Sequence, residues 1–291
     1  MPAVVYERTF RVRLYECDPY GHVNHANYVR YMQETAFDAS AAVGYPLDWY
    51  DSHGRAWVIR ETDITYLKPL RYGDTVTVRT WVSDFRRVHC RRTYELRNTE
   101  GELVAQAHTD WVYMDQETQR LVTVPPEMIA AFMPEGPPPR RLREPFPKAP
   151  PPPPGVYVVH RPVAWQDLDT QQHVNNAVYL DYLEESGIGV AAVYGWSMSR
   201  MIDEGFGIVA RRYRIEYLAP AVLGDELRIS TWVSDVKRAT AVRHYRIERQ
   251  EPETLLARAH VLWVWVDLET GRPVRIPENF RRDFAPNFVA E

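Results

Sequence analysis

Asp18-Pro-Tyr-Gly-His-Val-Asn-His-Ala-Asn-Tyr28 is a motif that occurs twice in the chain. The second copy is Asp169-Thr-Gln-Gln-His-Val-Asn-Asn-Ala-Val-Tyr179, at an offset of 151 residues. In each copy an Asp is followed by a His four residues later, then by Val-Asn, and finally by the Tyr of a helical pattern. An acid, imidazole and amide groups therefore share a loop before a helix in both halves.

The same register continues far beyond the motif. Thr80-Trp-Val-Ser-Asp84 matches Thr231-Trp-Val-Ser-Asp235 residue for residue. After one inserted residue near Glu251 the offset becomes 152, which aligns Trp111 with Trp263. A solenoid needs at least about three stacked repeats, so two long copies indicate a duplicated domain.

Composition places the chain among ordinary globular proteins. Its 291 residues, 45% of them hydrophobic, suit roughly two domains. A net charge of −4 argues against a nucleic-acid partner, and no stretch approaches the roughly 18 apolar residues of a membrane helix. Two cysteines, Cys17 and Cys90, make no disulfide framework, and the N-terminus lacks a signal-peptide pattern. These features predict a cytoplasmic protein without membrane insertion.

Each motif is followed by helical spacing, and each helix by strand-like alternation. We predict a first helix over about 26–43, capped by Asn24 and ended by Gly44, and a second capped by Asn175 and ended by Gly195. A helix over one apolar face of an antiparallel sheet gives each half an α+β class. Only strands are predicted after each helix, apart from a short helical piece following Pro125. The predicted strands cover about 4–16, 56–68, 75–85, 88–98 and 102–115, then 207–219, 225–236, 239–250 and 255–267.

Proline separates the halves. Eleven prolines occur between residues 134 and 155, which is typical of an extended polyproline-like spacer. We expect the spacer's arginines, Arg140, Arg141 and Arg143, to be solvated. The predicted organisation is a domain over 1–133, a linker over 134–155 and a second domain over 156–291.

The order of strand, Asp-x-x-Gly-His-Val, Asn-x-Tyr on a long helix and antiparallel meander resembles the hot-dog fold. More narrowly it resembles the 4-hydroxybenzoyl-CoA thioesterase-like branch. The second copy, from Asp167 to Asn176, also resembles the motif of acyl-ACP thioesterases, which are tandem hot-dog proteins. The resemblance covers nearly everything except the linker and the extreme termini. It implies two hot-dog domains paired within one chain, as a monomer with an internal pseudo-dimer or as a homo-oligomer.

The implied activity is hydrolysis of an acyl-CoA or acyl-ACP thioester where the two domains meet, without cofactor or metal. Two departures favour acyl-CoA. Acyl-ACP thioesterases tend to lose the acidic motif in their N-terminal half, whereas Asp18 and His22 are present here. They also place an Asn two residues after the Asp and a Cys in a later strand. Here Gln171 stands at the first position, and residues 217–221 contain no Cys.

Thioester hydrolysis needs a nucleophile or base near the carbonyl carbon and a donor for the developing oxyanion. N–H groups at a helix N-terminus are such donors, and the motif positions assign them to the amides of His25 and Asn176. Asp18 and Asp169 are then direct nucleophiles or general bases for water. The predicted catalytic residues are Asp18, His25, Asp169 and His173, and the predicted substrate-binding residues are His22, Asn24, Asn175 and Asn176.

Each assignment has a structural alternative. An Asp before a helix is often a turn former, His22 and His173 can brace the loop, and Asn24 and Asn175 can be plain caps. Three other functions compete with an acyl-CoA thioesterase. They are an acyl-ACP thioesterase, a β-hydroxyacyl hydratase (whose usual Asn-Pro motif is absent), and a non-catalytic protein that binds acyl thioesters.

Overall fold

The computed structural model describes residues 3–139 and 143–290. The chain divides into two compact units, Met1–Glu144 and Pro145–Glu291. Within the described ranges, no helix is long and apolar enough to span a membrane.

The first unit places one long helix against an antiparallel sheet. The elements, in chain order, are β1 (Val5–Arg11), α1 (His25–Ala42), α2 (Leu47–Ser52), β2 (Arg55–Tyr66), β3 (Thr75–Phe85), β4 (His89–Arg97), β5 (Leu103–Asp115) and α3 (Pro126–Phe132). The strands lie in the order β1-β3-β4-β5-β2, and every neighbouring pair is antiparallel.

The second unit repeats this plan. The elements are β6 (Tyr157–Pro162), α4 (Val178–Val193), α5 (Met198–Asp203), β7 (Phe206–Tyr217), β8 (Glu226–Ser234), β9 (Thr240–Arg249), β10 (Thr254–Asp267) and α6 (Glu278–Phe284). The sheet order is β6-β8-β9-β10-β7, again with antiparallel neighbours. The predicted α+β class, with a duplicated hot-dog plan, is therefore confirmed.

The core of the first unit follows helix and strand periodicity. Helix α1 buries Tyr28, Met32, Ala36 and Ala39, which recur every three or four residues. Strand β4 buries every second side chain, so one face of the sheet lies under the helix. Helix and strands thus each present one regular buried face, so that a single helix can cover the apolar face of the sheet.

Two local predictions are wrong. The first strand ends at Arg11 rather than continuing to residue 16, because the Glu16 carboxylate accepts a hydrogen bond from Arg13 N (2.7 Å) and turns the chain into a short 3-10 helix over Leu14–Glu16. The segments after the long helices are not only strands, because α2 and α5 intervene.

The Pro-rich segment carries no helix or strand within residues 134–139 and 143–155. It packs against its neighbours nonetheless. Arg143 forms ion pairs with Asp84 (3.2 Å) and Asp110 (3.1 Å), so the expectation that this arginine is solvated is wrong. The other two arginines, Arg140 and Arg141, lie outside the described residues.

Candidate active site

A closed loop presents Asp18. Cys17 and Val23 form a bridge, Asp18 N donates to His22 O (2.8 Å), and Gly21 N donates to Asp18 O (2.9 Å). Gly21 has a φ of +73°, the left-handed region that suits glycine. The loop is therefore a fixed turn that closes just before α1.

The two oxygens of the Asp18 carboxylate differ in their contacts. Oδ1 accepts from Tyr20 N (2.9 Å) and His22 N (3.2 Å), which is the turn-forming role anticipated as an alternative. Oδ2 accepts no hydrogen bond from the residues that the structure describes, and the side chain is half-buried. One oxygen thus holds the loop, and the other retains its lone pairs for a water molecule.

The second motif closes in the same way. Leu168 and Val174 form the bridge, Asp169 N donates to His173 O (2.9 Å), and Asp169 Oδ1 accepts from Gln171 N (2.9 Å). Within the described part of the chain, Asp169 Oδ2 also accepts no hydrogen bond. Gln172, which matches Gly21, has the same left-handed backbone, with a φ of +62°. The two loops are therefore equivalent in shape.

The helix starts differ between the halves. Asn24 is the N-cap of α1, and its Oδ1 accepts from Ala26 N (2.9 Å). Asn175 Oδ1 accepts from Ala177 N (3.0 Å), yet α4 starts only at Val178, with Ala177 at its N-cap. The prediction that Asn175 is the N-cap is wrong, because residues 176 and 177 form a turn, in which Leu180 N bonds to Ala177 O (3.0 Å), before the first helical residue.

Two tyrosines, to which the sequence reasoning assigned no role, anchor the peptides before or at these helix starts. Tyr66 OH donates to His25 O (3.0 Å), and Tyr217 OH donates to Asn176 O (2.9 Å). His25 and Asn176 are the residues whose amides are the predicted oxyanion donors. The repeated Tyr-Leu-x-Pro at positions 66 and 217 was the available signal.

The tyrosine at the end of each motif accepts a hydrogen bond from the segment that follows β2 or β7. Tyr28 OH accepts from Leu70 N (3.3 Å), and Tyr179 OH accepts from Ala221 N (3.2 Å). Both are buried, and burial raises the pKa of each phenol, that of Tyr179 to about 12. They remain neutral and act as hydrogen-bonding supports.

A buried acid precedes each motif loop and accepts a hydrogen bond from a tyrosine of the following helix. Glu16 Oε2 accepts from Tyr31 OH (2.6 Å), and Asp167 Oδ2 accepts from Tyr182 OH (2.7 Å). Burial, followed by the hydrogen bond to the acid, raises the pKa of both phenols. Asp167, like Glu16, therefore has a structural role.

The histidines differ in environment. Burial lowers the pKa of His22, as does the Arg71 guanidinium, while Asp18 opposes the shift. Its Nε2 atom is buried and makes no hydrogen bond to any described residue. His25 lies edge-on to the Tyr66 ring at 6.3 Å, and His173 forms a backbone bridge with Val222. The neutral form of the His22 imidazole is therefore favoured.

Among the described residues, Glu61, Asp63 and His108 bring ligand atoms within 4.8 Å of one another, the spacing that a metal ion requires. Asp63 and His108 are cross-strand partners on β2 and β5, and His108 Nε2 lies 3.8 Å from Asp63 Oδ2. The matching positions of the second half hold Arg212, Arg214 and His260, so the donor set is not repeated. This cluster lies outside the duplicated motif.

Comparison with known proteins gives two family matches. Residues 3–132 match the acyl-ACP thioesterase N-terminal domain, and residues 163–284 match the thioesterase-like superfamily. YneP of Bacillus subtilis, which is named as a candidate acyl-CoA thioesterase, is 30% identical over 114 residues, covering 39% of this chain and 83% of that protein. The chain belongs to the thioesterase-like superfamily. Both halves of this superfamily member carry the motif loop described above.

Two further comparisons cover more of the chain. The palmitoyl-acyl carrier protein thioesterase of Cuphea hookeriana is 27% identical over 200 residues, covering 63% of this chain and 47% of that protein. The chain thus spans about half the length of such curated relatives. A crystal structure from Lactobacillus plantarum, described as a candidate oleoyl thioesterase, superposes with a TM-score of 0.77 at 22% identity, covering 95% of this chain and 98% of that one. This superposition agrees with a fold of two hot-dog units in one chain.

Proposed function

We propose that the chain hydrolyses an acyl thioester and that its substrate is an acyl-CoA. The observation that carries the proposal is the duplicated loop. Its Asp uses one carboxylate oxygen to close the turn and keeps the other available, close in sequence to a helix start. Membership of the thioesterase-like superfamily supports the reaction class.

In this mechanism Oδ2 of Asp18 or Asp169 attacks the thioester carbonyl or removes a proton from an attacking water. A positioned general base typically contributes about 10²–10⁴-fold to a rate. In both routes the C–S bond breaks and CoA–S⁻ leaves and takes up a proton. After direct attack the acyl group is left on the Asp as a mixed anhydride, which water then hydrolyses; after attack by water the acid forms at once. The products are a free acid and CoA. His25 and His173 are the proposed proton donors or orienting groups.

The amides of His25 and Asn176 are the proposed oxyanion donors. Removing one such donor typically costs about 10²–10³ in rate, so their placement matters. The bonds from Tyr66 and Tyr217 to the carbonyls of these same residues support the assignment, because they restrict rotation of the backbone at that point. His22, Asn24 and Asn175 are proposed to contact the substrate from the rest of the loop.

An acyl-ACP thioesterase is the second candidate. It is favoured by the match of residues 3–132 to the acyl-ACP thioesterase N-terminal domain, and by relatives named as acyl carrier protein thioesterases. The resemblance to YneP, the presence of Asp18 and His22, and Gln171 in place of Asn favour CoA.

The deciding experiment loads one acyl group on CoA and on acyl carrier protein and follows thiol release with a thiol reagent. We expect higher kcat/KM on CoA; a preference of tenfold or more for the carrier protein would transfer the proposal to the second candidate. Binding without thiol release from either carrier would indicate a non-catalytic binding protein.

Variants then test the site. Asp18→Asn and Asp169→Asn should each remove part of the activity, and the double variant nearly all of it. Asp48→Asn, an exposed acid on α2, is the matched control and should behave as the wild type. Normal hydrolysis by the double variant would show that the motif acids are not the catalytic groups.

A further inference from the structure

The first unit contains an apolar cavity, partly open to solvent, beneath the second half of α1. Ala36 and Phe37 of α1, together with Trp57, Phe85 and Trp111 of the sheet, form part of its wall. Arg92 also lines it. A guanidinium in such a wall needs an explanation, since apolar side chains normally fill this position.

Arg92 is placed there by strand alternation. It follows Cys90 and precedes Tyr94 on the buried face of β4, while Arg91 and Thr93 are only half-buried. The residue is 6% exposed, yet its guanidinium makes no hydrogen bond or ion pair with any residue that the structure describes. Its recorded contact is with the Phe132 ring, whose centroid lies 5.5 Å from Cζ.

The neighbouring acids are already committed elsewhere. Asp110 accepts two hydrogen bonds from Arg91 (2.8 and 2.6 Å) and pairs with Arg143 (3.1 Å). Asp84 pairs with Arg86 (3.0 Å) and Arg143 (3.2 Å). A buried cation without a partner is costly, and such groups are normally paired. The guanidinium is thus a charged donor that faces the cavity.

The second half supplies an internal comparison. Arg243 matches Arg92 and lies 5.5 Å from the Phe284 ring, just as Arg92 lies near Phe132. There, however, Nη1 of Arg243 donates to Thr231 Oγ1 (3.3 Å) and to Asn287 Oδ1 (3.4 Å), and Asn287 is fully buried.

The residue that matches Asn287 in the first half is Glu135, and it is exposed. The first half therefore has the same buried arginine, Arg92, but an exposed residue stands where the second half has the acceptor Asn287. Arg92 can thus take an acceptor from outside the chain.

We propose that the first-unit cavity binds an aliphatic chain that ends in a carboxylate, with the carboxylate on Arg92. Arginine suits this role because its planar N–H groups match a carboxylate. Two sources share this chemistry: the far end of an ω-carboxyacyl group on the substrate, or a free aliphatic acid. The first source rests on the proposed thioesterase function, and the second does not.

The geometry along α1 suits the substrate source. Ala36 stands eleven residues after His25, which corresponds to about 16 Å along the helix axis. An acyl chain whose carbonyl meets the amide of His25 and whose far end meets Arg92 would lie alongside α1.

The first arm of the test needs no catalysis. Calorimetric titration compares saturated monocarboxylic acids with their methyl esters of equal length, using the wild type, Arg92→Met and Arg97→Met. Arg97 is a matched control on the same strand, whose partner is the half-buried Glu95. We expect the wild type and Arg97→Met to bind the acid at least tenfold more tightly than the ester, and Arg92→Met to bind both equally.

A second variant guards against a folding defect. Phe37→Trp fills the cavity without touching the charge, and it should weaken binding of acid and ester alike. Equal affinity of the wild type for acid and ester, or an acid preference that persists in Arg92→Met, would overturn the proposal.

The second arm separates the sources. It compares kcat/KM for ω-carboxyacyl-CoA and for plain acyl-CoA of the same length. A preference for the ω-carboxyl substrate that Arg92→Met abolishes supports the substrate source, whereas acid binding without that preference supports a free acid. If no thioester is hydrolysed, the proposed function fails, and the calorimetric arm still decides the cavity proposal.

Discussion

Tyr31→Phe removes one hydroxyl from the buried pair that precedes the first motif. Tyr31 OH donates to Glu16 Oε2 at 2.6 Å, and Glu16 is only 5% exposed. The Phe ring can keep the stacking with Phe10, at a centroid distance of 4.9 Å, so the hydrogen bond alone is lost. A hydrogen bond to a charged group is worth roughly 1.5–3 kcal/mol, and we expect the free energy of unfolding to fall by about that amount.

The size of this loss is limited by what Glu16 retains. Oε2 still accepts from Arg13 N (2.7 Å), whereas the Arg13 side chain is largely exposed and its ion pair at 3.4 Å adds little. Since 1 kcal/mol shifts Tm by about 2–4 °C in domains of 150–250 residues, Tm should fall by roughly 3–12 °C.

Urea denaturation and calorimetry measure the change. Tyr72→Phe, at an exposed tyrosine, is the control and should stay within about 0.5 kcal/mol of the wild type. Tyr182→Phe tests the matching pair with Asp167 and should lose a similar amount. If Tyr31→Phe is as stable as Tyr72→Phe, the hydrogen bond between Tyr31 and Glu16 does not stabilise the fold.

Three further predictions follow from the site and its surroundings. Tyr66→Phe and Tyr217→Phe should each lower kcat by about tenfold or more with little change in KM, because misplacing a reacting group by about 1 Å can cost up to about 10²-fold; steady-state kinetics decide this, and an unchanged kcat for both contradicts an anchoring role. Gly21→Ala should destabilise the first unit by about 1–2 kcal/mol in urea unfolding, because its φ of +73° is left-handed, and a neutral result would count against a fixed loop. Burial, followed by the charge of His260, lowers the pKa of His244 to about 4, so stability should be fully present above about pH 6.5 and decline as pH falls toward 4. The free energy of unfolding, measured across that pH range, should decline less steeply in His244→Gln than in the wild type. Equal slopes in the two proteins would show that His244 is not the cause of the decline.

Periodic patterns made much of the fold predictable. The strand predicted over 75–85 coincides with β3, and the helix predicted over 26–43 differs from α1 by one residue at each end. Both follow from long, regular alternation of side chains that the sheet and helix geometry must satisfy. The short helices α2 and α5, with six residues each, are too brief for a periodic signal to be distinguished from a loop.

The candidate site was predictable only in part. The duplicated motif identified Asp18 and Asp169, but it could not show that one oxygen of each carboxylate is used within its own turn. Tyr66 and Tyr217 lie 41 residues from His25 and Asn176 in sequence, so only the tertiary structure brings them to the carbonyls of these two residues. The difference between Arg92 and Arg243 was equally hidden, because the sequence of β4 and β9 is alike at this position and the acceptor comes from a distant segment.

The buried Asn287 has a consequence for how the two copies diverged. Its amide donates to Gly155 O (3.0 Å) and Thr231 O (3.1 Å) besides accepting from Arg243. In the second copy, a residue shortly after α6 thus supplies the acceptor for the buried arginine. Gene duplication gave both units the same buried arginine. A change in the short segment after α6 was enough to pair Arg243 within its own unit, whereas Arg92 depends on an acceptor from a bound ligand.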